Sequence, residues 1–401
     1  MIRGFSCAVA LFVAQAIGCA SAPDKPAAPP AGTGLVTTGS PSQSPPTPPL
    51  QTASLPPSAS PAVEPPPEPI PPPSPPPHVA RGVDTPADKA LAEGDKAFAA
   101  QDYAAAEKAY SKAVKLAPKD PAGALGVARA RLGKAGVPEG FGAAADDKVA
   151  KSVAADLKKA VALDPTYGPA QVELARVTLM LGNPDDALAA AKKGAELSPS
   201  DPEAHSALGV ALLAKGDVAK AIASLKTSVD LAPGDFGRQL NLGTAYLAAG
   251  KLSDAQPVFE KALRIVPGDA RAENGLGTVL LSLGDPVKAT PHLEKAVSGD
   301  PENASYKSNL GYAFALRGDL AKAIEFYKKA VEKNPKLVSA WINLGNAHAV
   351  QDKFAEACDA YAKVHAIDPA DPRLKDALIE VDELAKKKGL SGAGCKVSPG
   401  K

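Results

Sequence analysis

Aromatic residues make up only 4% of the 401 positions, with one tryptophan and two methionines. A sheet core leans on aromatic and β-branched side chains. Their scarcity within a hydrophobic fraction of 45% favours helices that touch through small residues. Charge of one sign is also missing: 45 Lys+Arg face 44 Asp+Glu, a formal net charge of +1. That balance removes the electrostatic ground for a nucleic-acid or anionic-membrane ligand. Five histidines and four cysteines show no spacing that would build a metal site. Neither a phosphate loop, a dinucleotide fingerprint nor a nucleophile elbow occurs. No enzyme, cofactor, metal or small-molecule substrate is therefore expected.

Proline, by contrast, is abundant. Of 41 prolines, 22 fall between Pro23 and Pro77. So few large apolar side chains cannot offset the ordering entropy of this stretch. Residues 19–85 therefore read as a disordered, partly polyproline-II linker with a reach of roughly 100–200 Å. Ahead of it, Arg3 is the lone charge before an apolar run from Phe5 to Ile17. The run suits a signal peptide and is too short to span a bilayer. It ends in Ala16-Ile17-Gly18-Cys19. This tetrapeptide resembles a bacterial lipobox, although leucine is preferred where Ala16 stands. The resemblance implies removal of residues 1–18 and lipid on Cys19. With no aspartate following the cysteine, it further implies an outer-membrane lipoprotein facing the periplasm. Cleavage after Ala14-Gln15-Ala16 is the competing reading.

Eight further prolines set a frame: Pro118, Pro165, Pro199, Pro233, Pro267, Pro301, Pro335 and Pro369. The last six intervals are each 34 residues and the first is 47. Twenty-four positions before the prolines stand Gly94, Gly209, Gly243, Gly277, Gly311 and Gly345. Twelve before stand Ala106, Ala187, Ala221, Ala255, Ala289, Ala323 and Ala357. Eight before, the residue is usually large, as at Tyr110, Leu157, Leu225, Phe259, Leu293, Tyr327 and Tyr361. These columns resemble the tetratricopeptide repeat over about residues 86–388. The resemblance implies an all-α fold, a right-handed α-solenoid of eight helix-turn-helix repeats over 86–369, built to hold protein partners.

Elementary packing agrees. Glycine and alanine sit where two antiparallel helices approach closely, and the large residue fills the space beside them. Proline cannot continue the second helix. Asp120-Pro121, Asp201-Pro202, Asp371-Pro372 and Thr85-Pro86 place a capping oxygen before a proline at the first helical position. The thirteen extra residues of repeat 2 fit near 133–147, as a surface loop between its helices. Residues 370–388 carry Leu374, Leu378 and Val381 on one face and predict a capping helix, with a flexible tail over 389–401.

In this family the first helices line the inner, concave side. Counting back 30, 27, 26, 23 and 20 places from each closing proline of repeats 4 to 8 gives 25 residues, of which only Glu203 and Arg271 are charged. The lysines and arginines with which some relatives grip a terminal carboxylate are missing. Asn241, Asn309 and Asn343 share one column, interrupted by Gly275; this resembles the asparagine ladder in the repeats of O-linked sugar transferases. An asparagine can pair with both groups of a peptide unit. Asn241, Asn274, Thr278, Asn309, Tyr312, Asn343 and Asn346 are thus candidate residues of a groove for an extended, neutral peptide segment. Alternatively, the asparagines bond a neighbouring helix and stabilise the stack. Cys358 and Cys395 either pair across the tail or leave Cys358 as a buried thiol. The function expected is a non-catalytic protein-interaction scaffold or assembly factor in the cell envelope, with another envelope protein as partner. Alternatives are a scaffold for polysaccharide export or the cell wall, and a pilotin-like factor for a secretin or pilus.

Overall fold

The computed structural model describes residues 79–137, 142–389 and Cys395. The signal segment 1–18, Cys19, the linker up to residue 78 and most of the tail lie outside the described residues. Those described form seventeen helices and no strand. Repeat 1 consists of α1 (Pro86–Ala99) and α2 (Tyr103–Leu116), and repeat 2 of α3 (Pro121–Ala135) and α4 (Lys148–Leu163). Repeat 3 pairs α5 (Gly168–Met180) with α6 (Pro184–Leu197), and repeat 4 pairs α7 (Pro202–Ala214) with α8 (Val218–Leu231). Next come α9 (Phe236–Ala248) with α10 (Leu252–Ile265), and α11 (Ala270–Ser282) with α12 (Pro286–Gly299). Repeats 7 and 8 are α13 (Ala304–Leu316) with α14 (Leu320–Lys333) and α15 (Val338–Val350) with α16 (Phe354–Ile367). A final helix, α17 (Pro372–Lys387), packs on α15 and α16. Each helix touches the next in sequence, and consecutive first helices also touch, so the core runs on from repeat to repeat.

The columns of the sequence become the layers of that core. Tyr110, Leu157, Leu225, Phe259, Leu293, Tyr327 and Tyr361 are all 1% exposed or less, and the alanines twelve before each proline are fully buried. Tyr110 shows why glycine faces it from both neighbouring first helices: a Cβ on Gly94 or on Gly126 would lie 2.4 Å from its ring. The expected caps are made. Thr85 Oγ1 accepts from Asp88 N at 3.1 Å, Asp120 from Ala122 N at 3.0 Å, and Asp201 and Asp371 each from the second residue onward at 2.9 Å. One device had no counterpart in the sequence reading. Six residues after a closing proline, a side chain donates to that proline's carbonyl: His205 Nε2 to Pro199 O at 2.8 Å, Gln239 to Pro233 O and Trp341 to Pro335 O at 2.9 Å, and Lys307 to Pro301 O. It ties the proline just past each of these second helices to the first helix that follows, and it gives His205 and the lone tryptophan structural work.

The insertion differs from the simple surface loop expected near 133–147. Helix α3 continues to Ala135 and ends at Gly136 in the left-handed region (φ 60°), so the added residues lie after it. Gly142 N donates to Leu179 O and Ala144 N to Met180 O, both at 2.9 Å. The loop thereby satisfies carbonyls at the C-terminal end of α5, and Ala144 is 2% exposed. It belongs to the packing of repeat 3.

Candidate binding face of the first helices

Positions 26 and 27 before each closing proline face consecutive first helices, and their side chains meet across one repeat plus one residue. Asn309 Nδ2 on α13 donates to Asn274 Oδ1 on α11 at 2.8 Å, and Asn241 Nδ2 on α9 to Ser206 Oγ on α7 at 3.4 Å. Asn343 and Ser308 hold the same relation between α15 and α13, and neither Asn343 Nδ2 nor Ser308 Oγ has a hydrogen-bond partner among the described residues. Asn274 and Asn309 are buried. Thr278 is buried too, its hydroxyl donating to Asn274 O at 2.8 Å. Asn346 accepts from the Tyr361 hydroxyl at 2.7 Å. Asn241 and Asn309 of the column thus each reach the first helix of the preceding repeat, whereas Asn343 Nδ2 does not; Asn241, Tyr312, Asn343 and Asn346 keep partial exposure. Of the two charges on this stretch, Arg271 folds back on Asp269 (3.0 Å) and over the Phe236 ring (5.2 Å), and Glu203 pairs with Arg238 (3.2 Å). Repeats 5 to 8 thus present a neutral face.

Repeats 1 to 3 do not. Their first helices carry Asp88, Asp95, Arg129, Glu173 and Arg176 at the equivalent positions, a set visible in the sequence once the count is extended to those repeats. Glu173 is 3% exposed and receives Arg129 Nε at 2.9 Å and an Arg176 guanidinium nitrogen at 2.6 Å. Burial alone would raise its pKa; the two guanidiniums outweigh burial and hold it at about 2. Asp88 and Asp95 stand seven residues apart on one face of α1. They hold the chain that precedes the helix. Val79 N donates to both Asp95 oxygens at 3.0 Å, Ala80 N to Asp95 Oδ2 at 2.9 Å, and Arg81 N to Asp88 Oδ1 at 2.7 Å. The Tyr110 hydroxyl steadies Asp95 at 2.8 Å. Val79 is 2% exposed within the cluster of Leu91, Tyr110 and Ala130. The Arg81 guanidinium makes two 2.8 Å bonds to Asp120 and lies 5.3 Å over the Tyr167 ring.

Sequence profiles described as tetratricopeptide repeats match residues 172–236, 212–277, 311–352 and 338–371. The chain is a tetratricopeptide repeat protein. Among proteins of curated function, none matches significantly. Among solved structures, a chain of the APC/C hetero-tetramer Cut9-Hcn1 matches 75% of this chain at 16% identity with a TM-score of 0.57. Only 57% of that chain is spanned. A thermophilic tetratricopeptide repeat protein of Thermus thermophilus, TTC0263, is 28% identical over 45% of this chain and 98% of its own, with a TM-score of 0.40. PilW, a widely conserved type IV pilus biogenesis factor, is 21% identical over 48% and 88%, with a TM-score of 0.44. In all, 404 solved chains match, so the fold is widely shared and does not by itself single out a partner.

The gap in the asparagine column of these tetratricopeptide repeats has a steric cause. A Cβ at Gly275 would stand 2.4 Å from Phe259 Cε1. Completing the column with Gly275→Asn is expected to lower stability by about 1–3 kcal/mol through overpacking, read as a lower denaturant midpoint. At the other end of the array, Cys358 on α16 and Cys395 are bonded, with a sulfur–sulfur distance of 2.02 Å. Together with Trp341 and Leu384 they flank the core that α17 closes. Among the described residues no group of three or more His, Cys, Asp or Glu could hold a metal ion, and no helix is long and apolar enough to cross a membrane.

Proposed function

We propose that this protein is an exported scaffold, acylated at Cys19 and held in the cell envelope by its proline-rich linker. Its first-helix face receives an extended segment of another envelope protein. One observation carries the reading: residues 79–81 already lie along that face in non-helical form, held through successive backbone amides. A face that grips backbone suits extended chain in general, and the neutral repeats 5 to 8 offer Asn241, Tyr312, Asn343 and Asn346 as partly exposed contacts. Export is supported by the Cys358–Cys395 bond, since structural disulfides persist in oxidising compartments. No catalytic step is proposed.

The anchor has a direct test. In the native host, the chain should be found in the membrane fraction with lipid on Cys19, and Cys19→Ser should leave it soluble or unprocessed. A wild-type chain that is freely soluble with its N-terminus at Ile17 contradicts the anchor. Partner binding through the neutral face should change little with salt, because few charges meet there; a steep dependence would place the partner elsewhere.

A further inference from the structure

Residues 79–81 meet repeats 1 to 3 as a bound peptide would. Two carboxylates take three consecutive backbone amides, which needs no particular side chain on the ligand. Side-chain selection is made at two places. Val79 fills a closed apolar site, and two residues on, Arg81 is gripped by Asp120 and lies on Tyr167. In an extended chain, residues i and i+2 share a face, so both selections fall on the side turned to the solenoid. Only a short turn joins this segment to α1, with Gly82 in the left-handed region at φ 74°. Asp88 and Asp95 are 6% and 8% exposed. With the segment seated, both carboxylates are buried and supplied with donors; with it released they would meet water, and another segment that brings the same amides could take its place.

We propose that the first-helix face of repeats 1 to 3 is a second peptide site, closed in cis by residues 79–81. It opens to a partner segment that carries a small branched apolar residue followed two places later by arginine. The inference deepens the scaffold reading above by giving one end of the face a sequence preference and a gate. The basic residue is selected by charge complementarity: Asp88, Asp95 and Asp120 surround the segment, so a partner with acidic residues there is rejected. The short tether gives the internal segment an effective concentration on the order of millimolar, so a partner must bind tightly or arrive already tethered at the envelope.

The test uses the full chain and a fluorescent peptide of residues 77–84. Val79→Glu with Arg81→Glu releases the internal segment, and this variant should bind the peptide at least tenfold more tightly than wild type. A peptide carrying Arg81→Glu should bind neither chain. Circular dichroism reports whether the released variant keeps its helices. Should repeat 1 melt, Arg81→Ala, which leaves Val79 seated, replaces it and should still bind more tightly than wild type. Equal binding by wild type and a folded released variant overturns the gate. No binding by any folded variant overturns the site. Either failure can be told apart from a failure of the neutral face of repeats 5 to 8, which is probed separately by crosslinking at position 312.

Discussion

Glu173→Gln is expected to destabilise the solenoid by about 3–5 kcal/mol, the usual result of breaking a buried ion pair from one side. The carboxylate is 3% exposed and faces Arg129 and Arg176 at once. Its folded pKa of about 2 lies well below the 4.5 ordinary for a glutamate. A group depressed in this way contributes stability above its unfolded pKa and loses it as pH falls through the folded one. The wild-type chain should therefore exceed the variant by the full margin at pH 7, and the margin should shrink between about pH 4.5 and pH 2. Replacing Glu173 and Arg129 together by apolar residues of similar size should cost less than the single change. Urea unfolding at several pH values checks both statements. A margin that does not vary with pH would mean that packing, and not ionisation, sets the effect.

Reduction of the Cys358–Cys395 bond is expected to remove about 3–4 kcal/mol at the C-terminal end, from the loop entropy of residues 37 apart. Each repeat contacts only its neighbours, so the loss should be local. Hydrogen exchange should quicken in α16 and α17 and stay unchanged in α5 to α8. Thiol titration of the chain purified from its native host, unfolded without reductant, should find neither Cys358 nor Cys395 free. Finding both free would remove the bond and with it one support for export.

The repeat frame was legible because close packing forces a small residue, a large residue and a proline into fixed columns. Gly94, Ala106 and Tyr110 mark where α1 closes on α2. The role of the asparagines was not legible. Asn309 and Asn274 could have faced a ligand or each other, and only the 2.8 Å separation decides. The seated segment was missed for a different reason. Residues 79–81 occur once, so they have no period, and the charges that receive them lie in repeats 1 and 2, away from the neutral first helices of repeats 5 to 8. Two aspartates seven apart on one face of α1 were the available signal.

Site-specific photo-crosslinking in the native envelope tests most directly whether the first-helix face holds the partner. A photoreactive residue at position 312, on α13, is compared with one at position 287, which is on α12 and 66% exposed in the free chain. Capture of a discrete envelope protein from position 312 and not from position 287 is the predicted result. Capture from position 287 alone, with the protein still in its membrane fraction, would place the binding surface on the second helices and contradict the scaffold reading built on the first.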